Sequence, residues 1–172
     1  MLGGTRNMPQ EFNLQAAIHE AIQTEKDVMD FYNKAAEITK NERAKKVFLT
    51  LAAEEREHAS NFFHLYTGAE LGSFEDFMAS PPRDVSAMLS QLLQALDEAA
   101  SERKAMELAL AEEENLAKNL RATAALIVDP AVRGVFEKMA QETDDHYQII
   151  EAEYAFMMGM VHDTDIDTYV RE

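Results

Sequence analysis

Glu55 and His58 stand three residues apart in the stretch Leu51-Ala-Ala-Glu-Glu-Arg-Glu-His58. On a helix that spacing makes them neighbours, able to grip one cation together. Glu25, Glu113 and His146 share an unusual placement, because each falls inside an apolar stripe. Glu25 is in phase with Ile18, Ala21, Ile22, Val28, Met29 and Tyr32. Glu113 lies between Ala109/Leu110 and Leu116/Ala117, and His146 between Met139/Ala140 and Ile150. A buried carboxylate without a partner costs several kcal/mol. Five such residues together call for a cation, and carboxylate plus imidazole is a donor set that suits a divalent metal ion.

Composition narrows the alternatives. The chain has 172 residues, with 16 basic against 32 acidic and a net charge of −16. That length is one ordinary domain with a real core. The charge argues against nucleic acid, whose phosphates need basic clusters, and against an anionic membrane surface. The absence of cysteine removes disulfides, thiolate catalysis, iron–sulfur ligation and cysteine zinc sites. Met1 to Gln10 has one basic residue and no apolar stretch, unlike a signal peptide. The run from Tyr154 to Val161 is too short for a bilayer span, which takes about 20 residues. The expectation is a soluble, cytoplasmic protein.

The elements that position these residues are helices. Asn13 is a good cap for a first helix running to about Thr39, because its side chain can accept from an unpaired amide of the first turn. A second follows the polar turn at Asn41, with Val47, Phe48, Leu51, Ala52, Ala59, Phe62 and Leu65 at helical spacing. It is expected to end near Tyr66, with Gly68 as the stop. Residues 67–84, with two glycines and two adjacent prolines, read as a loop. Asp84 then caps a shorter helix, Val85 to about Ala99, whose leucine-rich face either covers the bundle end or forms a dimer contact. Ser101 reads as the cap of a long third helix, which Asp129-Pro130 separates from a last one ending near Gly159. No window reads as strand. The fold class is all-α, a four-helix bundle with one long crossover over 67–100, the ferritin-like arrangement. Its halves are 13–66 and 101–158, and 161–172 reads as a loosely held tail.

A shift of 88 residues aligns the halves without a gap. Glu25 falls on Glu113, Phe48 on Phe136, Glu54 on Glu142 and His58 on His146. The set is one glutamate from each of two helices, a Glu-x-x-His from a third and a histidine from the fourth. That is nearly the di-iron carboxylate recipe of two single glutamates and two Glu-x-x-His pairs. The departure is Thr143, which stands where the second pair needs glutamate. Glu142, four residues before His146, is a further candidate ligand at the other helical-neighbour spacing.

Ala17-Ile-His-Glu-Ala-Ile-Gln-Thr-Glu-Lys26, continuing to Phe31-Tyr32, and Leu51 to His58 resemble the rubrerythrin-like branch of the ferritin-like superfamily. Ala105 to Glu114 and Phe136 to His146 are a looser copy, and the resemblance spans about residues 14–155. It implies that Glu25, Glu55, His58, Glu113 and His146 are iron ligands. It also implies that Tyr32 is the tyrosine that hydrogen-bonds a ligand. The family's extra glutamate one turn after the third-helix ligand is here Leu116, and its cysteine-rich rubredoxin domain is missing. The implied reaction is reduction of peroxide or oxygen by ferrous iron at a pair of irons, with electrons from an external donor. Apart from the resemblance, the leucine-rich face of 85–99 leads to the expectation of a homo-oligomer, a dimer.

Two other functions stay open at this point. One is a non-catalytic bundle holding a single iron or zinc, its second half-site degraded at Thr143. The other is iron storage in a hollow assembly. His19 and His64 are off the inward phase and read as surface or interface residues. His162, the acidic stretch Asp163 to Asp167, and Met157, Met158 and Met160 read as tail and gap-filling residues.

Overall fold

In a computed structural model, residues 11–83, 87–94 and 98–159 are described. They form six helices: α1 Leu14–Ile38, α2 Glu42–Phe63, α3 Phe74–Ala79, α4 Ala87–Leu93, α5 Glu98–Ala124 and α6 Pro130–Met157. The four long ones, α1, α2, α5 and α6, pack as two tight antiparallel pairs, α1 with α2 and α5 with α6. The pairs meet along α1/α5 and α2/α6. Among the described residues there is no strand. Among the described residues no helix is long and apolar enough to cross a membrane.

The caps follow side-chain chemistry. Asn13 accepts from the Ala16 amide and Asn41 from the Ala44 amide, each at 3.0 Å. Asp129 accepts from Ala131 and Val132 at 2.8 and 3.3 Å. Pro130 takes the first helical position, where its missing N–H is no loss. Gly159 follows α6 with φ +68°, a conformation that suits glycine.

Four features differ from the sequence reading. Ser101 lies within the first turn of α5, not at its cap, because α5 begins by Glu98. Glu98-Ala99-Ala100 are residue types that readily extend a helix upstream. α2 closes at Phe63, before Tyr66, and the chain tightens so that the Leu65 and Tyr66 amides reach the Phe62 and Phe63 carbonyls. The stretch 67–84 contains α3, capped by Ser73 accepting from Asp76 at 3.1 Å. Six residues between Gly72 and Pro81 are too few to display a helical period. Phe74 of α3 meets Phe63 edge-on at 5.4 Å, and Arg56 reaches Glu75 at 2.6 Å. The expected helix 85–99 is resolved into α4 and the start of α5. Asp84, its expected cap, and the tail 161–172 lie outside the described residues.

The core runs the length of the bundle. Phe62 and Phe136 meet edge-on at 4.8 Å, Tyr32 stacks on Phe48 at 6.1 Å, and Leu92 of α4 is buried with them. The sequence reading passed over Lys26, which is buried beside Glu25. Its Nζ donates to the Ser80 carbonyl at 2.9 Å and pairs with Asp30. Arg83 bonds Asp27 through Nε at 3.1 Å. These contacts tie the crossover to α1.

Candidate metal centre

The four long helices each bring buried polar side chains to one level of the core. α1 supplies Glu25, α2 supplies Glu55 and His58, α5 supplies Glu113 and α6 supplies His146. All five are between 0% and 2% exposed. The structure thus brings together the five residues singled out from the sequence. One ligand atom from each of Glu55, His58 and His146 lies within 4.8 Å of the other two. The two imidazoles stack in parallel, with centroids 5.1 Å apart and planes 6° from parallel.

Glu55 is the hub. Its Oε1 is 2.9 Å from Nδ1 of His146, and its Oε2 is 3.3 Å from Nδ1 of His58. Glu25 Oε2 flanks the first histidine at 3.7 Å from Nδ1 of His58. Glu113 Oε1 flanks the second at 3.7 Å from Nδ1 of His146. Tyr32 donates a hydrogen bond to Glu113 Oε1 from α1. Thr143 is buried at the position matching Glu55, and its hydroxyl donates to the Met139 carbonyl at 2.8 Å.

Glu142 and Glu54 lie on the far side of the rings. Nε2 of His58 is 2.9 Å from Glu142 Oε2, and Nε2 of His146 is 2.7 Å from Glu54 Oε2. Sequence reasoning flagged Glu54 only as the repeat mate of Glu142. Both are partly exposed in a cavity of about 320 Å³ at the α2/α6 seam, lined also by Glu57, Asp145 and Ile149. Leu116 is buried beside a second cavity, of about 370 Å³, at the α1/α5 seam. His64 is exposed, and half-buried His19 meets Tyr66 edge-on at 5.6 Å.

Six buried side-chain atoms among the described residues have no hydrogen-bond partner, and five belong to this cluster. They are both oxygens of Glu25, Glu55 Oε2, His58 Nδ1 and Glu113 Oε2. Orphaned buried polar atoms are costly and rare. Their concentration here, all of types that bind metals, is what a cation would resolve. The donor set fits.

The electrostatics agree. Burial, then the charge of Glu55, pushes the Glu25 carboxyl well above its usual range. Burial and Glu55 likewise raise Glu113, to about 7. Burial also opposes charge on Glu55, but the hydrogen bond from His146 and the proximity of His58 overcome it and hold that carboxyl low. Burial would lower both histidines, yet the neighbouring carboxylates, Glu25 and Glu55 for His58 and Glu113 and Glu55 for His146, lift them to about 10 and about 11. Burial and the charges of Glu113 and Glu55 push the Tyr32 phenol up. An ionised carboxylate only accepts hydrogen bonds, so a ring with carboxylates at both nitrogens carries two protons. These shifts favour protonated histidines where no cation is bound.

The Rubrerythrin family model matches residues 16–154, nearly the whole bundle. The chain belongs to the rubrerythrin family. No curated protein matches it. A solved structure of a hypothetical protein from Pyrococcus furiosus superposes with a TM-score of 0.68 at 22% identity. The match covers 88% of this chain and 94% of that one, and it shows the shared fold. A rubrerythrin-family bundle with a candidate carboxylate and histidine metal group is therefore established.

Proposed function

We propose that this rubrerythrin-family protein is a di-iron oxidoreductase that reduces peroxide or oxygen. The observation that carries the reading is the set of orphaned, inward ligand atoms on Glu25, Glu55, His58 and Glu113. Glu25, Glu55 and His58 would hold one iron, and Glu113 and His146 the other, with Glu55 facing both histidines. When bound, ferrous iron supplies the electrons for reduction of the oxidant.

The chain's own residues set the conditions. The glutamates neutralise the cations, and the histidines give up their inner protons to become ligands. Tyr32 holds Glu113 in orientation through its hydrogen bond. The inner carboxylates Glu25, Glu55 and Glu113 are fully buried, while His58 and His146 also line the α2/α6 cavity. None of the 172 residues is cysteine, so none of them can hold an iron–sulfur electron carrier.

A second reading is a single-ion bundle, with iron or zinc. Thr143 favours it, because three inward glutamates supply one charge fewer than two pairs would. So does the close grouping of Glu55, His58 and His146, which suits one ion. Anaerobic loading with ferrous iron, followed by addition of peroxide, separates the two. The di-iron reading expects rapid oxidation of bound iron with loss of peroxide. Bound metal that leaves peroxide intact supports the second reading.

A further inference from the structure

The two partly exposed glutamates outside the cluster are related by the internal repeat, yet each serves the other half. Glu54 of α2 bonds His146 of α6, and Glu142 of α6 bonds His58 of α2, at 2.7 and 2.9 Å. We propose that Glu54 and Glu142 are positioning residues, a crossed pair that fixes each histidine with Nδ1 directed into the metal cluster and Nε2–H directed outward.

The argument rests on ring geometry. Each imidazole is buried, with 3% of its side chain exposed, while Glu54 and Glu142 keep 45% and 38%. A carboxylate can only accept, so each Nε2 must carry a hydrogen to make its bond. A neutral ring protonated at Nε2 leaves the Nδ1 lone pair for a cation. Nδ1 is also the nitrogen that faces the inner carboxylates, at 2.9 Å from Glu55 for His146 and 3.3 Å for His58. An outer carboxylate on a ligating histidine fixes its tautomer and raises its basicity. Because the bonds cross, they also clasp α2 to α6 where the seam opens into its cavity. In this arrangement Glu142 acts through His58, and the side chain does not reach the metal.

The proposal rests on the metal-binding reading, and the test keeps the two apart. Glu54→Gln and Glu142→Gln are made with Glu57→Gln, which lines the same cavity and controls for lost negative charge. Zinc affinity is measured by chelator competition. The nitrogen shifts of the two rings are read by NMR in the zinc-loaded protein. The expected result is a loss of about tenfold or more in affinity for each of the first two variants, with Glu57→Gln near wild type. Wild type should show Nδ1 bound to zinc and a slowly exchanging Nε2–H, which exchanges faster in the variants. Equal losses in all three variants, unchanged affinity, or zinc on Nε2 would overturn the proposal. If wild type binds no zinc or iron, the metal reading fails instead. The Nε2–H signals of the metal-free protein then decide: their loss on substitution at 54 or 142 supports the crossed pair, and their persistence overturns it.

Discussion

Oε1 of Glu55 and Nδ1 of His146 meet at 2.9 Å, although 91 residues separate them in the chain. The repeat explains why this contact matters. Thr143 occupies the place of Glu55 in the second half, so one carboxylate serves both histidines. It receives His146 on one oxygen and faces His58 with the other. The centre is symmetric in its histidines, in Glu25 and Glu113, and in the crossed outer glutamates. It is asymmetric at Thr143 and at Tyr32, whose repeat position is Leu120, so Glu113 has a phenol donor and Glu25 has none.

Restoring symmetry should therefore show in metal binding. Thr143→Glu places a second bridging-type carboxylate in the buried cluster. Without metal, the longer side chain must be desolvated and fitted into a packed, already acidic cluster, so the melting temperature should fall. With metal, the second ion should bind about tenfold or more tightly. Calorimetric titration with ferrous iron or zinc reads both stoichiometry and affinity. A variant that is destabilised without metal and gains nothing with it would show that Thr143 is not a missing ligand.

The pH dependence of stability should reverse when metal is present. His58 and His146 have folded-state values raised from 6.5 to about 10 and 11. Their contribution is therefore fully present below pH 6.5 and is lost as pH rises through those values. Glu25 is raised as well, and Glu113 to about 7, and both favour the folded state more at acid than at neutral pH. Glu55, held low, acts the other way, but only in strong acid. The metal-free protein should thus lose stability from pH 6 to 9. Metal needs deprotonated ligands, so its stabilisation should grow over the same range. Thermal melts with chelator and with zinc test this, and parallel pH profiles would contradict it.

Metal binding should also release protons. At pH 7 the two histidines hold protons that ligation displaces, and Glu113 is partly protonated. About two protons or more should leave on full loading. Titration calorimetry in buffers of differing ionisation enthalpy counts them, and release of none would contradict the proton-filled cluster.

Much of this was legible in the sequence. The four long helices show in apolar residues at helical spacing, and Glu25, Glu113 and His146 are visible because they interrupt that spacing. Glu54 was hidden because it sits beside Glu55 on the polar side of α2 and looks like any surface glutamate. Only the approach of α6 brings it to His146. The repeat register that pairs it with Glu142 was the available signal. Lys26 was hidden similarly, because its partner Ser80 lies in a crossover whose path no local pattern reveals.

Lys26 should matter for the crossover. Lys26→Met keeps the bulk but leaves Asp30 and the Ser80 carbonyl without their donor. Breaking such a pair should cost about 2–3 kcal/mol, less than for a fully buried one because Asp30 is partly exposed. Urea unfolding measures the loss, and limited proteolysis should cut within 73–83 sooner than in wild type. Unchanged stability and cleavage would mean that the crossover is held elsewhere.

Tyr32→Phe removes the hydrogen bond to Glu113 while preserving the ring that stacks on Phe48. The metal-free protein should lose about 1 kcal/mol. Affinity for the ion at the Glu113 side should fall about tenfold, with the other ion little changed. A uniform loss at both ions would contradict the specific pairing of Tyr32 with Glu113.

The most direct measurement is anaerobic titration of the metal-free protein with ferrous iron, followed by stopped-flow mixing with hydrogen peroxide. The account predicts about two irons bound per chain and both oxidised by one peroxide, the balance of a two-electron reduction. One iron or none per chain, with no consumption of peroxide, would contradict it.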